Sequence, residues 1–389
     1  MIYSDDKFES FCCSVQGHSH TISNYPCQDS SMIWKEDDLH MCAVCDGHGG
    51  DRYFRSKIGA EIAIKIVYET VKAFVLDNNT RNDLKGIPFK SFGCNKDRVA
   101  STQDDLRLTA TFDKLFRSIV SKWKAAITND AIINPVNEWE AINVKPEYLL
   151  ELKELRNVEK IYGCTLITYL QTKEFWFAFQ IGDGNCIAFD VHGQHIFQPI
   201  PSDEKCFLNK TTSLCMSNAY EEFRFCCQGD GNFPRAVFMG TDGIDNTFIT
   251  NDELSNFYIT IAKYAKTHLP DDLAKEIEDS LPILSCRGSQ DDMSIAFILD
   301  RKRTCEFLPE LVNDQIIVLK EEIKEYSIDK EVLEKKSAQL LEKKTLSQHE
   351  QIDYHYTIQE IEKLEQKLSN SQSRLERMLE EMSNFDIKE

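Results

Sequence analysis

Apolar residues in the first three hundred positions gather into short unbroken runs: 11-FCCSV-15, 31-SMIW-34, 41-MCAVC-45, 164-CTLITYL-170, 175-FWFAFQI-181, 186-CIAFD-190, 236-AVFMG-240 and 293-MSIAFIL-299. Runs this short, rich in β-branched and aromatic residues and separated by turn residues such as Gly182-Asp183-Gly184 and His192-Gly193-Gln194, predict strands. The tight spacing from 164 to 199 predicts consecutive antiparallel strands, because a parallel crossover needs a dozen residues or more. Elsewhere the period changes. Ile58, Ile62 and Ile66, with Val71 and Val75 farther on, predict a helix between Arg52 and Asp77. A second helix fits Asp105 to Ile127, and two more fit 251–267 and 270–280. The polar segment from about 78 to 104, broken by Gly and Pro, reads as a long loop or insertion with no role assigned. Together these elements predict an α+β domain of packed layers over residues 1–303.

The pattern shifts after Pro309. From Glu310 to Glu389 there is no Gly and no Pro. Ile316, Leu319, Ile323, Tyr326, Leu333 and Leu340 alternate three- and four-residue steps, with polar beats at Lys330 and Ser337. The register continues through Tyr354, Ile358, Ile361, Leu368, Leu375, Leu379 and Met382, with Lys344, Gln351, Glu365 and Gln372 as further polar beats. This is a heptad seam, and residues 310–389 are expected to form a coiled coil. One continuous helix would run roughly 110 Å; a fold-back near 347-SQHEQ-351 is the alternative. An uncovered seam would stay wet, so the tail is expected to make a homo-oligomer or to dock a partner protein.

Composition narrows the function. The 389 residues are 42% hydrophobic, enough for a large core, and carry a formal net charge of -19. That balance argues against nucleic acid or an anionic membrane as partner, since both are gripped by Lys and Arg. The N-terminal MIYSDDKFES has no basic segment followed by an apolar one, and no run nears the ~18 apolar residues of a membrane helix. With 14 cysteines and no secretory signal, a reducing, cytoplasmic setting with free thiols is expected. Cys42 and Cys45 have C-x-x-C spacing, but in a strand residues three apart face opposite sides, so both read as small core residues. The stretch 226-CCQGDGN-232 lacks the acidic spacing of a calcium loop and reads as a turn. Phe175, Trp176, Phe177 and Phe179 read as core.

The chemistry lies where strands meet carboxylates. 40-HMCAVCDGHGG-50 is an apolar run ending on Asp46-Gly47-His48. 236-AVFMGTDG-243 ends on Asp242, and 175-FWFAFQIGDG-184 on Asp183. In reverse order, Asp291 and Asp292 precede the strand in 288-GSQDDMSIAFIL-299, and Asp29 precedes the one in 25-YPCQDSSMIW-34. Any one Asp-Gly is above all a turn signal. Carboxylates at five strand ends gather on one rim, and hard cations such as Mg²⁺ and Mn²⁺ take oxygen ligands of this kind.

The motifs Asp46-Gly47-His48-Gly49-Gly50, Gly163-Cys164-Thr165, Gly182-Asp183, Thr241-Asp242-Gly243 and Gly288-Ser289-Gln290-Asp291-Asp292-Met293-Ser294 occur in an order that resembles the metal-dependent serine/threonine protein phosphatases of type 2C. The resemblance covers about residues 10 to 300, and 17-GHSHTISNYPCQDSS-31 looks like the divergent branch common in bacteria. It implies a four-layer α-β-β-α sandwich of two antiparallel sheets flanked by helices, with two Mg²⁺ or Mn²⁺ ions at one end. By the same resemblance Asp46 bridges the ions and the Gly47 carbonyl holds one of them. Asp242 and Asp291 bind on one side, Asp29 acts through bound water, and Asp183 serves a weaker third ion shared with Asp242. His48 is the implied general acid, and water or hydroxide between the ions attacks phosphorus without a phospho-enzyme.

One departure stands out. Many relatives carry an arginine a few residues before the first metal aspartate, where it grips the phosphate. Near Asn24 this chain has none, and an amide does not replace a guanidinium fork. His20 and Arg287 are the candidate phosphate-binding substitutes, with His18 a third, and the sequence does not choose among them. Asp292 stands where Asn is common, as a spare ligand or a turn residue. The reading that follows is a phosphoprotein phosphatase, with a pseudophosphatase that only binds as the alternative. A small-molecule phosphatase on the same site chemistry stays open as well.

Overall fold

The computed structural model describes residues 1–4, 7–36, 38–98, 100–191, 193–206, 210–343 and 347–386. The chain divides into two compact units, Met1–Cys305 and Glu306–Glu389.

The first unit is built on β1 (Ile2–Ser4), β2 (Phe8–Val15), β3 (Ser30–Glu36), β4 (Leu39–Cys45), β5 (Lys90–Phe92), β6 (Leu166–Gln171), β7 (Trp176–Ile181), β8 (Asn185–Val191), β9 (Gln194–Phe197), β10 (Arg224–Gln228), β11 (Ala236–Gly240) and β12 (Met293–Asp300). They form two six-stranded sheets, in the orders β1-β2-β12-β11-β8-β9 and β3-β4-β6-β7-β10-β5. The paired strands are antiparallel in both.

The period of two decides the layers. In β4, Cys42 and Val44 point between the sheets, where they meet Ala188, Val237 and Ala296. Met41, Ala43 and Cys45 point the other way, onto the helices Ser56–Leu76 and Gln103–Ile133. Cys42 and Cys45 thus belong to different cores. On the far face of the other sheet, Tyr258 of the helix Asn251–Thr267 stacks on Phe238 with ring centroids 5.0 Å apart, and the helix Pro270–Arg287 packs beside β1 and β2. The result is helices, sheet, sheet, helices. Phe175, Phe177 and Phe179 lie under the helices and Trp176 between the sheets, all fully buried.

Three local readings need correction. The 78–104 segment is not a plain loop: it holds a helix, Asn78–Leu84, capped where the Asp77 carboxylate accepts from the Thr80 amide at 2.9 Å, and β5, which completes a sheet edge against β10. Both are too short and too polar to register as periodic. Gly182-Asp183-Gly184 is not a hairpin turn but the crossing from one sheet to the other, β7 lying in one and β8 in the other. Gly182 (φ 101°) and Gly184 (φ 86°) allow that turn, and a Cβ on Gly184 would stand 2.6 Å from the Gly240 carbonyl oxygen. Cys226 and Cys227 belong to β10, with the turn starting only after Gln228.

The second unit contains most of the helix Arg301–Leu341 and all of Gln348–Asp386. Pro309, where the composition changes, lies inside the first helix. Val312, Ile316 and Leu319 of one helix pack with Met378 of the other, beside Ile323, Leu375 and Met382. Lys330 pairs with Glu365 at 2.8 Å, Lys336 with Asp353 at 2.7 Å and Lys343 with Glu350 at 2.6 Å, so the helices run antiparallel. Of the two seam arrangements, the fold-back is the one formed. Lys344 lies outside the described residues. Half of the second helix's seam also sits one residue earlier than the heptad reading placed it. Thr357, Ser371 and Met378 are buried, whereas Leu379 is 46% exposed. A partner that returns antiparallel meets this face of the helix, and sequence spacing does not choose between neighbouring faces.

Candidate active site

The ends of β4, β7 and β11 and the start of β12 open on one side of the sandwich. There Asp46, Gly47, His48, Asp183, Asp242 and Asp291 line a single cavity of about 1480 Å³. His20 lines it too. Asp29 is 6% exposed and stands off the cavity wall, and Arg287 is an exposed residue of the last helical turn before Gly288, also off the wall.

Backbone pairing continues past the end of β4 and holds the Asp-Gly-His segment. The Thr165 amide donates to the Asp46 carbonyl at 2.8 Å, the Asp46 amide donates to Thr165 Oγ1 at 3.1 Å, and Gly47 bridges Cys164. A Cβ at Gly47 would come within 2.4 Å of the Gln28 carbonyl oxygen, so the close approach requires glycine. At the end of β11, Thr241 Oγ1 donates to Asp29 Oδ2 at 2.7 Å and accepts from the Ser294 amide at 2.9 Å. Thr241 thereby ties Asp29 to both strands and leaves Asp242 facing the cavity. Asp183 is held by its amide, which donates to Thr211 Oγ1 at 3.1 Å, while its Oδ1 is buried with no hydrogen-bond partner.

The electrostatics are those of crowded anions. Burial, reinforced by Asp242, Asp29, Asp183 and Asp291, pushes the Asp46 carboxyl well up. Burial, with Asp183 and Asp291 next, raises Asp242 to about 7. Asp29 is raised by burial and then by Asp292, and Asp183 by burial. Among the described residues no three His, Cys, Asp or Glu side chains close into a ligand cage. The donor set nevertheless fits a hard divalent cation. It is all carboxylate, it is mutually repulsive, and it includes an orphaned buried oxygen. Mg²⁺ characteristically keeps several waters and takes few protein ligands.

His48 is set differently. Its Nε2 lies 2.6 Å from Ser213 Oγ, and that hydroxyl donates to the Cys164 carbonyl at 2.9 Å. With its hydrogen so engaged, Ser213 accepts, and Nε2 carries the proton. Burial lowers the His48 pKa to about 4, so the ring is neutral at rest. The Tyr53 ring meets it edge-on at 5.1 Å.

Asp292 proves to be an anchor. It is 3% exposed, and its carboxylate accepts from the Gly17 amide at 2.7 Å and the Gln28 amide at 2.6 Å. His20 Nδ1 lies 2.9 Å from the same carboxylate, and that contact raises the His20 pKa. His18 uses its amide to donate to Ser285 Oγ at 3.0 Å and is not on the cavity wall.

Sequence reasoning missed Ser213 and its neighbours Thr211 and Thr212, together with four cavity lysines, Lys124, Lys160, Lys205 and Lys210. The only trace was the hydroxyl-rich 210-KTTS-213, which belongs to no periodic element.

A two-sheet sandwich with a carboxylate-lined cavity at its edge is the build of a metal-dependent phosphatase fold. The chain belongs to the protein phosphatase 2C family, whose sequence model matches residues 16–281. No curated protein matches it. Among solved structures it is similar to RsbX in complex with magnesium (11% identity, TM-score 0.40, 77% of this chain and 98% of that one). It is also similar to the catalytic domain of the serine/threonine phosphatase PstP with two manganese ions (14%, 0.41, 75% and 97%). A sex-determining protein of C. elegans matches at 14% identity and TM-score 0.44, over 79% of this chain and 68% of that one. Likenesses this distant carry no residue assignments. Among the described residues no helix is long and apolar enough to cross a membrane.

Proposed function

We propose that the chain is a phosphoprotein phosphatase that hydrolyses phosphoserine and phosphothreonine with two Mg²⁺ or Mn²⁺ ions, and with room for a third. The observation that carries this reading is the convergence of Asp46, Asp183, Asp242 and Asp291, from separate strand ends, on one cavity, where burial and mutual repulsion raise Asp46 and Asp242 and burial raises Asp183. Only cations relieve that repulsion without protonating the site. Asp46, the Gly47 carbonyl, Asp242 and Asp291 would hold the ions, Asp183 the third, and Asp29 would act from behind through water. Bound ions supply positive charge against the phosphate dianion and acidify the attacking water.

The chain's own residues do the rest. His20, whose pKa the Asp292 carboxylate raises, faces the cavity where the family arginine is missing and binds phosphate; Arg287, outside the wall, is the weaker candidate. Ser213 fixes the His48 tautomer, and the incoming phosphate dianion raises the His48 pKa so that the ring protonates the leaving seryl or threonyl oxygen. The setting is cytoplasmic, with phosphoproteins as substrates. The 310–389 tail docks a partner protein or a second copy. Because the hairpin covers its own seam within one chain, self-association has to use its outer apolar residues, such as Ile328 and Val332.

The test is hydrolysis of p-nitrophenyl phosphate and of phosphopeptides, with EDTA and then with Mn²⁺ or Mg²⁺. Turnover that needs metal and falls at least about a thousandfold in Asp46→Asn and Asp242→Asn, both still folded, is expected. Full activity in either variant overturns the assignment. A binding-only pseudophosphatase is favoured by one observation, the missing arginine, and predicts no turnover with any metal. Sedimentation of the full chain against a chain ending at residue 309 tests the tail.

A further inference from the structure

The carboxylates of the cavity face a second kind of wall. Lys124, Lys160, Lys205 and Lys210 all line the same space. Two of the four are engaged: Lys205 pairs with Glu222, and Lys124 lies 3.9 Å from Glu159 and donates to the Met216 carbonyl at 3.3 Å. Lys160 and Lys210 are exposed, and neither ammonium has a hydrogen-bond or ion-pair partner among the described residues. Besides the four aspartates, the only other acidic residue of the wall among the described residues is Glu159, which Lys124 takes. A chain of net charge -19 thus keeps two unneutralised cations at its cavity.

We propose that Lys160 and Lys210 select the substrate: they read acidic side chains flanking the phosphorylated residue, so that the preferred substrates are phosphopeptides with Glu or Asp beside the phosphoserine or phosphothreonine. This rests on the phosphatase reading of the same cavity. The phosphate itself is left to the ions and His20. An unpaired ammonium on a cavity wall attracts whatever anion is held next to the phosphate. The protein's overall negative charge does not cancel this, because at physiological salt charges beyond roughly 8 Å are screened.

Three phosphothreonine peptides of equal length, flanked by Glu, by Ala or by Lys, are compared with the full chain and Mn²⁺. The expected kcat/KM is about tenfold higher for the Glu peptide than for the Ala peptide, since exposed ion pairs each contribute only a few-fold. That ratio falls to about twofold in Lys160→Gln/Lys210→Gln, and also in 500 mM salt. In Lys160→Glu/Lys210→Glu the preference turns toward the Lys peptide. Equal rates for all three peptides, or a ratio unchanged in the double variants, overturn the proposal while leaving the phosphatase intact. Hydrolysis of none of the three overturns the phosphatase reading instead. The Kd of fluorescent versions of the same peptides for Asp46→Asn then decides the lysines by the same ratios.

Discussion

The two units treat charge in opposite ways. Residues 1–305 bury it: Asp29, Asp292 and Glu140 are each 6% exposed or less, and Asp46, Asp183 and Asp242 of the cavity carry raised pKa values. Residues 306–389 leave it in water: Lys336 and Asp353 are 45% and 35% exposed, and Lys335 and Glu331 are 69% and 64% exposed. Both units are rich in carboxylates, but only the first is made costly by them, because a buried like-charge group cannot be screened. Carboxylates that the fold holds at a cost are the ones set to bind something. Carboxylates left in water serve mainly to keep a helix pair soluble and in register.

The comparison can be broken by removing charge from each unit. Among the substitutions, Asp292→Ala should have the largest effect on stability. It leaves the Gly17 and Gln28 amides without an acceptor in a buried site, and about 3 kcal/mol is expected after the relief of Asp29 is counted. Asp292→Asn should lose clearly less. Urea unfolding measures both, and equal losses would show that the carboxylate is not the anchor.

Next comes pH. The folded Asp242 pKa is raised from the ordinary 3.8 to about 7. Between those values the folded protein holds a proton that the unfolded chain has released. Stability is therefore fully present below about pH 4 and is lost as the pH rises through about 7, by at most about 4 kcal/mol. In EDTA the melting temperature should fall across this window, Asp242→Asn should flatten the fall, and Mn²⁺ should restore stability at pH 7. A metal-free melting temperature that climbs steadily from pH 4 to 7 would contradict the crowding.

Smaller effects belong to the hairpin. Met378→Ala should cost about 2–3 kcal/mol of local stability and Leu379→Ala under about 0.5, read by helical circular dichroism on heating. The reverse order would restore the register read from heptad spacing. Lys336→Ala should change stability by less than about 1 kcal/mol, with high salt erasing the difference. A larger loss would mean that this ion pair is not the solvated kind.

Much of the candidate site's carboxylate wall was legible in the sequence. Asp46, Asp183, Asp242 and Asp291 stand where an apolar run meets a turn, and a run of period two carries its end residue to the sheet rim. That step needs only local geometry. The same local logic separated Cys42 from Cys45. It did not reveal Ser213, which reaches His48 from 165 positions along the chain, or the lysines, which come from three separate segments. Nor could it tell Asp292 the anchor from Asp291 the cavity residue. The two are adjacent, and only the return of Gly17 and Gln28 to the start of β12 distinguishes them.

The amino-acid order alone determined most of the longer strands and helices, the carboxylates at the strand ends, and the change to a heptad tail. Each of these depends on neighbours within a turn or a strand. The tertiary structure decided that Gly182–Gly184 crosses between sheets, that the tail folds back on Met378 and not Leu379, and that His20 and not Arg287 faces the cavity. Those outcomes depend on contacts between residues far apart in the chain, and such contacts leave no local period to read.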